Sequence, residues 1–348
     1  MIKFVNFEGE QICIYNPKKN EYFYHIKACE FLNKKQYSYC IFLYNNEKIN
    51  DIERTVNYIN TTIVVIRTNI YTHELRNWVD KNKIYWHNLS FSQHAIYLLE
   101  SNLDKINWRA LSINPYAIHI LEKYPNKIYW CQLSKNLNAV HILELREDKI
   151  NWSNLSSNQN AIRILENNID KINWDKLSEN PNAIKLLKEN INKINWEKLS
   201  LNPSLEALKL LEENPNKISW HSLFQNPNPV AIDLIIKHKH KINWNWLSSN
   251  PNAVHLLEKN QNNNLNWMFL SENPNAIRIL EKNIDKIYWP YLSKNPEAIH
   301  LLEENLNKID WDELSKNPGA IHLLEKQPDK INWEKLSLNP AIFKLNEN

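Results

Sequence analysis

Lysine stands three residues before a tryptophan eleven times, at Lys83, Lys105, Lys127, Lys149, Lys171, Lys193, Lys217, Lys241, Lys286, Lys308 and Lys330. A glutamate closes a recurrent aliphatic pair at Glu100, Glu122, Glu144, Glu166, Glu212, Glu258, Glu281, Glu303 and Glu325. A third recurrent position varies: Tyr97, His119, His141, Arg163, Lys185, Lys209, Asp233, His255, Arg278, His300 and His322. Evenly spaced lysines could track a phosphate backbone, and recurrent histidines could hold metal. A polar stripe that changes from unit to unit is what an evolved contact surface looks like.

Each ladder also has a plainer reading. A lysine at the end of a helix suits the C-terminal dipole. Asp104, Asp148, Asp170, Asp285 and Asp329 directly precede five of the lysines and dilute any field. Lysines and glutamates then form compensating, solvated edges. Histidines one layer apart, about 10 Å, are too distant to share one zinc at about 2 Å. The variable stripe therefore supplies the candidate partner-binding residues His119, His141, Arg163, Lys185, His255, Arg278, His300 and His322.

Motifs for catalysis are absent. Two glycines in 348 residues leave no phosphate loop or dinucleotide fingerprint. His25 and Cys29, four apart on an expected helix, read as a core cysteine beside a surface histidine rather than a nucleophilic pair. The chain is expected to be non-catalytic, with no cofactor and no metal.

What must position the ladders is a repeat. Tryptophan returns at about 22-residue intervals, at Trp86, Trp108, Trp130, Trp152, Trp174, Trp196, Trp220, Trp244, Trp267, Trp289, Trp311 and Trp333, which is twelve of the 14 tryptophans. A fixed period of this length marks a stacked array. Trp-x-x-Leu-Ser predicts a short first helix, capped by Asn, Asp or Ser just before the tryptophan. Asn-Pro then opens a second helix, since proline suits the first helical position. Ala183, Ile184, Leu186 and Leu187 show its apolar stripe. With so little glycine, asparagine is expected at left-handed turns such as 190–192. The recurrent tryptophans are expected in the stacked core, with Trp78 and Trp246, out of register, as surface contacts. Twelve layers predict a rod or arc of roughly 100 Å, with kinks at the insertions near 204, 228 and 263.

The opening segment, 1–70, lacks the repeat. Ile2–Phe7, Gln11–Tyr15, Tyr37–Tyr44 and Thr61–Arg67 read as strands and Glu21–Asn33 as a helix. The order β-β-α-β-β, the opening MIKFVNFEGEQICI and the closing TTIVVIR resemble a ubiquitin-like domain over residues 1 to about 68. No Gly-Gly follows Arg67, so the resemblance implies a built-in docking domain rather than a conjugated modifier. It makes Lys3, Tyr39, Ile41 and Tyr44 candidate sheet-face contacts and ubiquitin-system components candidate partners. The Trp…Leu-Ser-x-Asn-Pro…Ala-Ile…Leu-Leu-Glu unit is similar to repeat proteins of mimivirus-like giant DNA viruses. That resemblance implies host cytoplasm or viral factory, or the virion, as location.

The fold expected is thus an α+β ubiquitin-like domain, 1–70, followed by an all-α solenoid, 71–348. Lys and Arg number 42 against 39 acidic residues. Segment 1–70 holds 9 and 7 of these, leaving 33 and 32 in the array. That balance argues against a general nucleic-acid binder. No apolar run approaches the length of a membrane-spanning helix, so no span is expected. Cys13, Cys29, Cys40 and Cys131 lack zinc spacing and fit a reducing compartment. The reading that follows is a protein–protein adaptor or scaffold for a host or viral protein. A virion or assembly component is the alternative, and a nucleic-acid-binding protein ranks behind it.

Overall fold

The computed structural model describes residues 2–5, 11–15, 40–44, 47–48, 61–67, 73–260 and 264–345. The chain divides into two compact units, Met1–His73 with Leu345–Asn348, and Glu74–Lys344.

In the first unit, five strands form one sheet: β1 Ile2–Val5, β2 Gln11–Tyr15, β3 Cys40–Tyr44, β4 Glu47–Lys48 and β5 Thr61–Arg67. The order is β2-β1-β5-β3-β4. β1 and β5 are parallel, with Ile2 opposite Thr61, and the other pairs are antiparallel. β-branched residues in TTIVVIR suit the central strand. The helix expected at 21–33, the His25–Cys29 pair and Tyr39 lie outside the described residues.

In the second unit, each repeat is one layer, numbered here 1 (Trp86) to 12 (Trp333). Layer 5 shows the pattern. A helix runs Trp174–Glu179, and the Asn173 side chain caps it by accepting from the Lys176 N–H at 3.1 Å. A 3₁₀ turn, Pro181–Ala183, opens under the cap of Asn180. The second helix is Ile184–Glu189, and a 3₁₀ turn at Ile191–Lys193 leads to layer 6. The left-handed asparagine turn does not form: Asn190 has φ −130°. Its amide instead donates back to the Leu186 carbonyl at 3.0 Å, satisfying a helix-end acceptor that a glycine would leave bare.

Helices this short cannot stand alone, and two buried polar ladders bolt the layers together. Ser178 Oγ donates to the Trp174 carbonyl at 2.7 Å and accepts from the Asn195 N–H of layer 6 at 3.0 Å. The Asn202 amide of layer 6 donates to the Ser178 and Asn180 carbonyls, each at 3.0 Å. Leu177, Ser178, Asn180, Ala183 and Leu187 are at most 2 % exposed, so these bonds form in the core itself. The insertions are absorbed without breaking the ladder: Asn226, Asn250 and Asn273 make the same pair of bonds.

The array is not a rod. Layer 1 stacks on layer 12, and the unit is a closed ring. The Tyr85 N–H donates to Ser337 Oγ at 2.8 Å, the same serine bolt used elsewhere. The Asn88 amide donates to the Glu334 carbonyl at 2.8 Å, as the Asn154 amide does to Cys131 between layers 3 and 4. After the 3₁₀ turn Pro340–Ile342, layer 12 ends in β7, Phe343–Leu345, without a second helix of its own. β7 pairs with β6, His73–Leu75, from the start of the array. Arg76 donates its backbone N–H to Ile342 and its Nε to Ala341, at 2.9 and 2.7 Å. Glu74 and Lys344 add an ion pair at 3.1 Å. Each end of the array is therefore covered by the other. Twelve layers at about 8–10 Å give a circumference of roughly 100 Å and a mean diameter of about 30 Å. First helices and Pro-x-Ala turns approach their neighbours more closely than second helices do, so they line the inside of the ring.

Candidate functional site

The twelve repeat tryptophans are half-buried rather than core. Tryptophan opens the first helix and lies across the edge of the stack, and a cation from the next layer covers its ring. Lys105 Nζ lies 4.6 Å from the Trp86 centroid, Lys171 4.4 Å from Trp152, and Lys193 4.8 Å from Trp174. Lys286, Lys308 and Lys330 repeat this over Trp267, Trp289 and Trp311. At the seam Lys83 lies 5.2 Å over Trp333. The lysine and tryptophan ladders are thus one device, worth roughly 0.5–1 kcal/mol per pair at exposed sites. Other layers depart from it: Arg146 lies 5.4 Å over Trp130, Tyr124 packs against Trp108 at 5.5 Å, and in layer 7 the His238 ring covers Trp220, at 5.0 Å.

The histidine and glutamate ladders are also one device. His119 Nε2 meets Glu100 at 2.7 Å, His141 meets Glu122 at 3.0 Å, His300 meets Glu281 at 3.0 Å and His322 meets Glu303 at 2.8 Å. Each pair joins a stripe residue to the glutamate of the preceding layer. Arg163 is engaged as well. Lys185, His255 and Arg278 are exposed and make no ion pair among the described residues. For His255 the reason is visible: Ile236 occupies the glutamate position of layer 7. Ile41 and Tyr44 lie in β3 and Lys3 in β1.

A further column, two residues after each tryptophan, runs along the inner wall. Lys335 of layer 12 meets Glu313 of layer 11 at 2.9 Å, both only a quarter exposed. The hydrogen bond from Lys335 holds the Glu313 carboxyl below its ordinary range, and the bond to Glu313 raises Lys335. Lys198 bonds Glu179 at 2.8 Å and is raised by it. In layers 8 to 10 the column turns aromatic, with Trp246, Phe269 and Tyr291. The Trp246 ring lies 4.2 Å from the His221 ring and 5.8 Å from Phe269. Trp246 is therefore half-buried between neighbouring rings. The other out-of-register tryptophan, Trp78, has its indole N–H buried without a hydrogen-bond partner.

A shallow groove of about 260 Å³ lies beside Leu306, Trp311, Leu323 and Lys330. That is below the size of common ligand pockets, about 300–1,000 Å³. Among the described residues no group of three His, Cys, Asp or Glu side chains gathers as a metal site, and no helix is long and apolar enough to cross a membrane.

The cross-layer pairings were missed in the sequence. Their signal is a spacing of 19: Lys105 follows Trp86, and His119 follows Glu100, by that interval. Stacking at a period of 22 brings such residues opposite each other, which no single unit reveals. The aromatic column was signalled by Trp246, Phe269 and Tyr291 standing where most other units carry a polar residue. No protein-family model, curated protein or solved structure matches the chain.

Proposed function

We propose that the protein is a non-catalytic interaction scaffold in which a ubiquitin-like head and a ring of helical repeats bind different partners. Closure of the array carries this reading. A closed ring has no free stacking end, so what it offers to other molecules is its repeated side surfaces. The β2-β1-β5-β3-β4 order, with β1 and β5 parallel, supports the ubiquitin-like reading of the head. The ring contacts fall to stripe positions not tied into cross-layer pairs: Lys185, His255 and Arg278. The viral resemblance of the repeat makes a host or viral protein, in host cytoplasm or viral factory, the partner to seek.

The test is affinity purification of three forms: the intact chain, an Ile41→Asp/Tyr44→Asp form, and a Lys185→Glu/Arg278→Glu form. Each pair of substitutions should remove one set of partners and leave the other. Retention of every partner by both forms would overturn the reading.

A further inference from the structure

The near-neutral balance of the array conceals one uneven sector. Between Glu213 and Glu258 the only acidic residue is Asp233. The same stretch carries Lys217, Lys237, Lys239 and Lys241, with His221, His238, His240 and His255, four of the chain's 12 histidines. It spans layers 7 and 8.

Of the four lysines here, only Lys237 makes an ion pair among the described residues. At seven joints the rim lysine lies on the tryptophan of the preceding layer. In layer 7 His238 takes that place on Trp220, so Lys241 has no ring beneath it. Lys237 bonds Glu212. Lys217, Lys239 and Lys241 are exposed and make no ion pair among the described residues. The layer-7 glutamate that would offset them is Ile236, and the Asp that often precedes the rim lysine is His240. Unscreened charges within about 8 Å of one another add their fields. The same two layers begin the aromatic column, with His221 against Trp246 and Trp246 against Phe269.

We propose that layers 7 and 8 form a binding site for single-stranded nucleic acid, with Lys217, Lys239 and Lys241 on phosphates and Trp246 against a base. Cations that track a backbone beside partly exposed aromatic rings are the elements of single-strand recognition. A duplex fits poorly, because its persistence length of about 500 Å resists following a ring about 30 Å across. The site is confined to this sector, which is why the whole-chain charge does not disclose it.

The test is fluorescence anisotropy of the full chain with a labelled thymidine oligonucleotide of about 20 nucleotides, over a salt series. Three variants are compared with it: Lys239→Glu/Lys241→Glu, Trp246→Ala, and Lys188→Glu/Lys282→Glu as a charge-matched control on other layers. The expected result is binding at low salt, weakened about tenfold or more by the first variant and measurably by the second. The control stays within about twofold, and circular dichroism verifies that all three remain folded. Absence of binding at low salt overturns the proposal. Equal losses in the first variant and the control overturn it too. So does competition by duplex DNA or polyglutamate as strong as by single strand, which would mean a general affinity for polyanions or acidic protein.

Discussion

The backbone N–H of Tyr85 bonds the hydroxyl of Ser337 at 2.8 Å, across 252 residues of sequence. Between layers 1 and 2, the Asn107 N–H bonds Ser90 at 3.0 Å. The two contacts are the same joint, one between sequence neighbours and one between the two ends of the array. From that identity it follows that the repeats form a circle. The seam is nevertheless a joint that the chain does not itself cross, and its side chains differ.

In layer 1 Ser92 and Gln93 stand where other layers have asparagine and, in most, proline. Ser92 caps its own turn, accepting from His94 at 3.3 Å, but lacks an amide to reach the carbonyls of Ser337 and Asn339. Ser92→Asn should supply both missing bonds, each worth about 1 kcal/mol. Thermal denaturation should show a rise in midpoint, and hydrogen exchange should slow in layers 1 and 12. An unchanged or lowered midpoint would mean that the seam does not share the geometry of the other joints.

The serine bolt should be costly to remove. Ser178→Ala deletes the acceptor for the Asn195 N–H and leaves that donor unpaired in the core. The expected loss is about 1–3 kcal/mol in urea denaturation. A loss below about 0.5 kcal/mol would show that water replaces the hydroxyl.

Gly319 of layer 11 lies against the backbone of layer 10. A Cβ there would come within 2.8 Å of the Pro296 carbonyl oxygen and 3.1 Å of Ile299. Gly319→Ala should therefore cost about 1–3 kcal/mol, as overpacking does. Stability equal to wild type would mean that neighbouring layers can separate freely.

The Lys335–Glu313 pair sets a pH dependence. Glu313 is depressed in the folded chain, so its contribution is present above its unfolded value, about 4.3, and is lost as pH falls through the lower folded one. Lys335 is raised, so its contribution is full below about 10.4 and fades as pH rises through the higher folded value. Lys335→Met should lower stability by up to about 1 kcal/mol near neutrality, and the difference should vanish near pH 2. A difference that persists in strong acid would assign the effect to packing of the lysine stem.

The layers themselves were legible because their determinants are local. Asn173 caps its helix and Asn180-Pro181 opens the next turn, both through bonds within a few residues. Closure was not legible, because it depends on a rotation of about 30° at each of twelve joints, and stacking rotations are a property of interfaces rather than of the repeat. Its trace in the sequence was an irregularity, Ser92-Gln93 in layer 1. The tryptophans were misplaced because Trp174 and Leu177 share one short helix, yet only Leu177 is wholly buried. The stem that covers the Trp174 indole, as long cationic side chains cover apolar surface, belongs to Lys193 of the next layer.

Closure is the central claim, and distance measurement between spin labels tests it most directly. In a chain without native cysteines, one sample carries labels at His87→Cys and Glu334→Cys, equivalent exposed positions in layers 1 and 12. A second carries them at Asp175→Cys and Glu197→Cys, the same positions in the adjacent layers 5 and 6. A closed ring predicts the same short distance in both samples, below about 25 Å. A short distance in the second sample with one beyond about 50 Å in the first would contradict the ring and restore the open array.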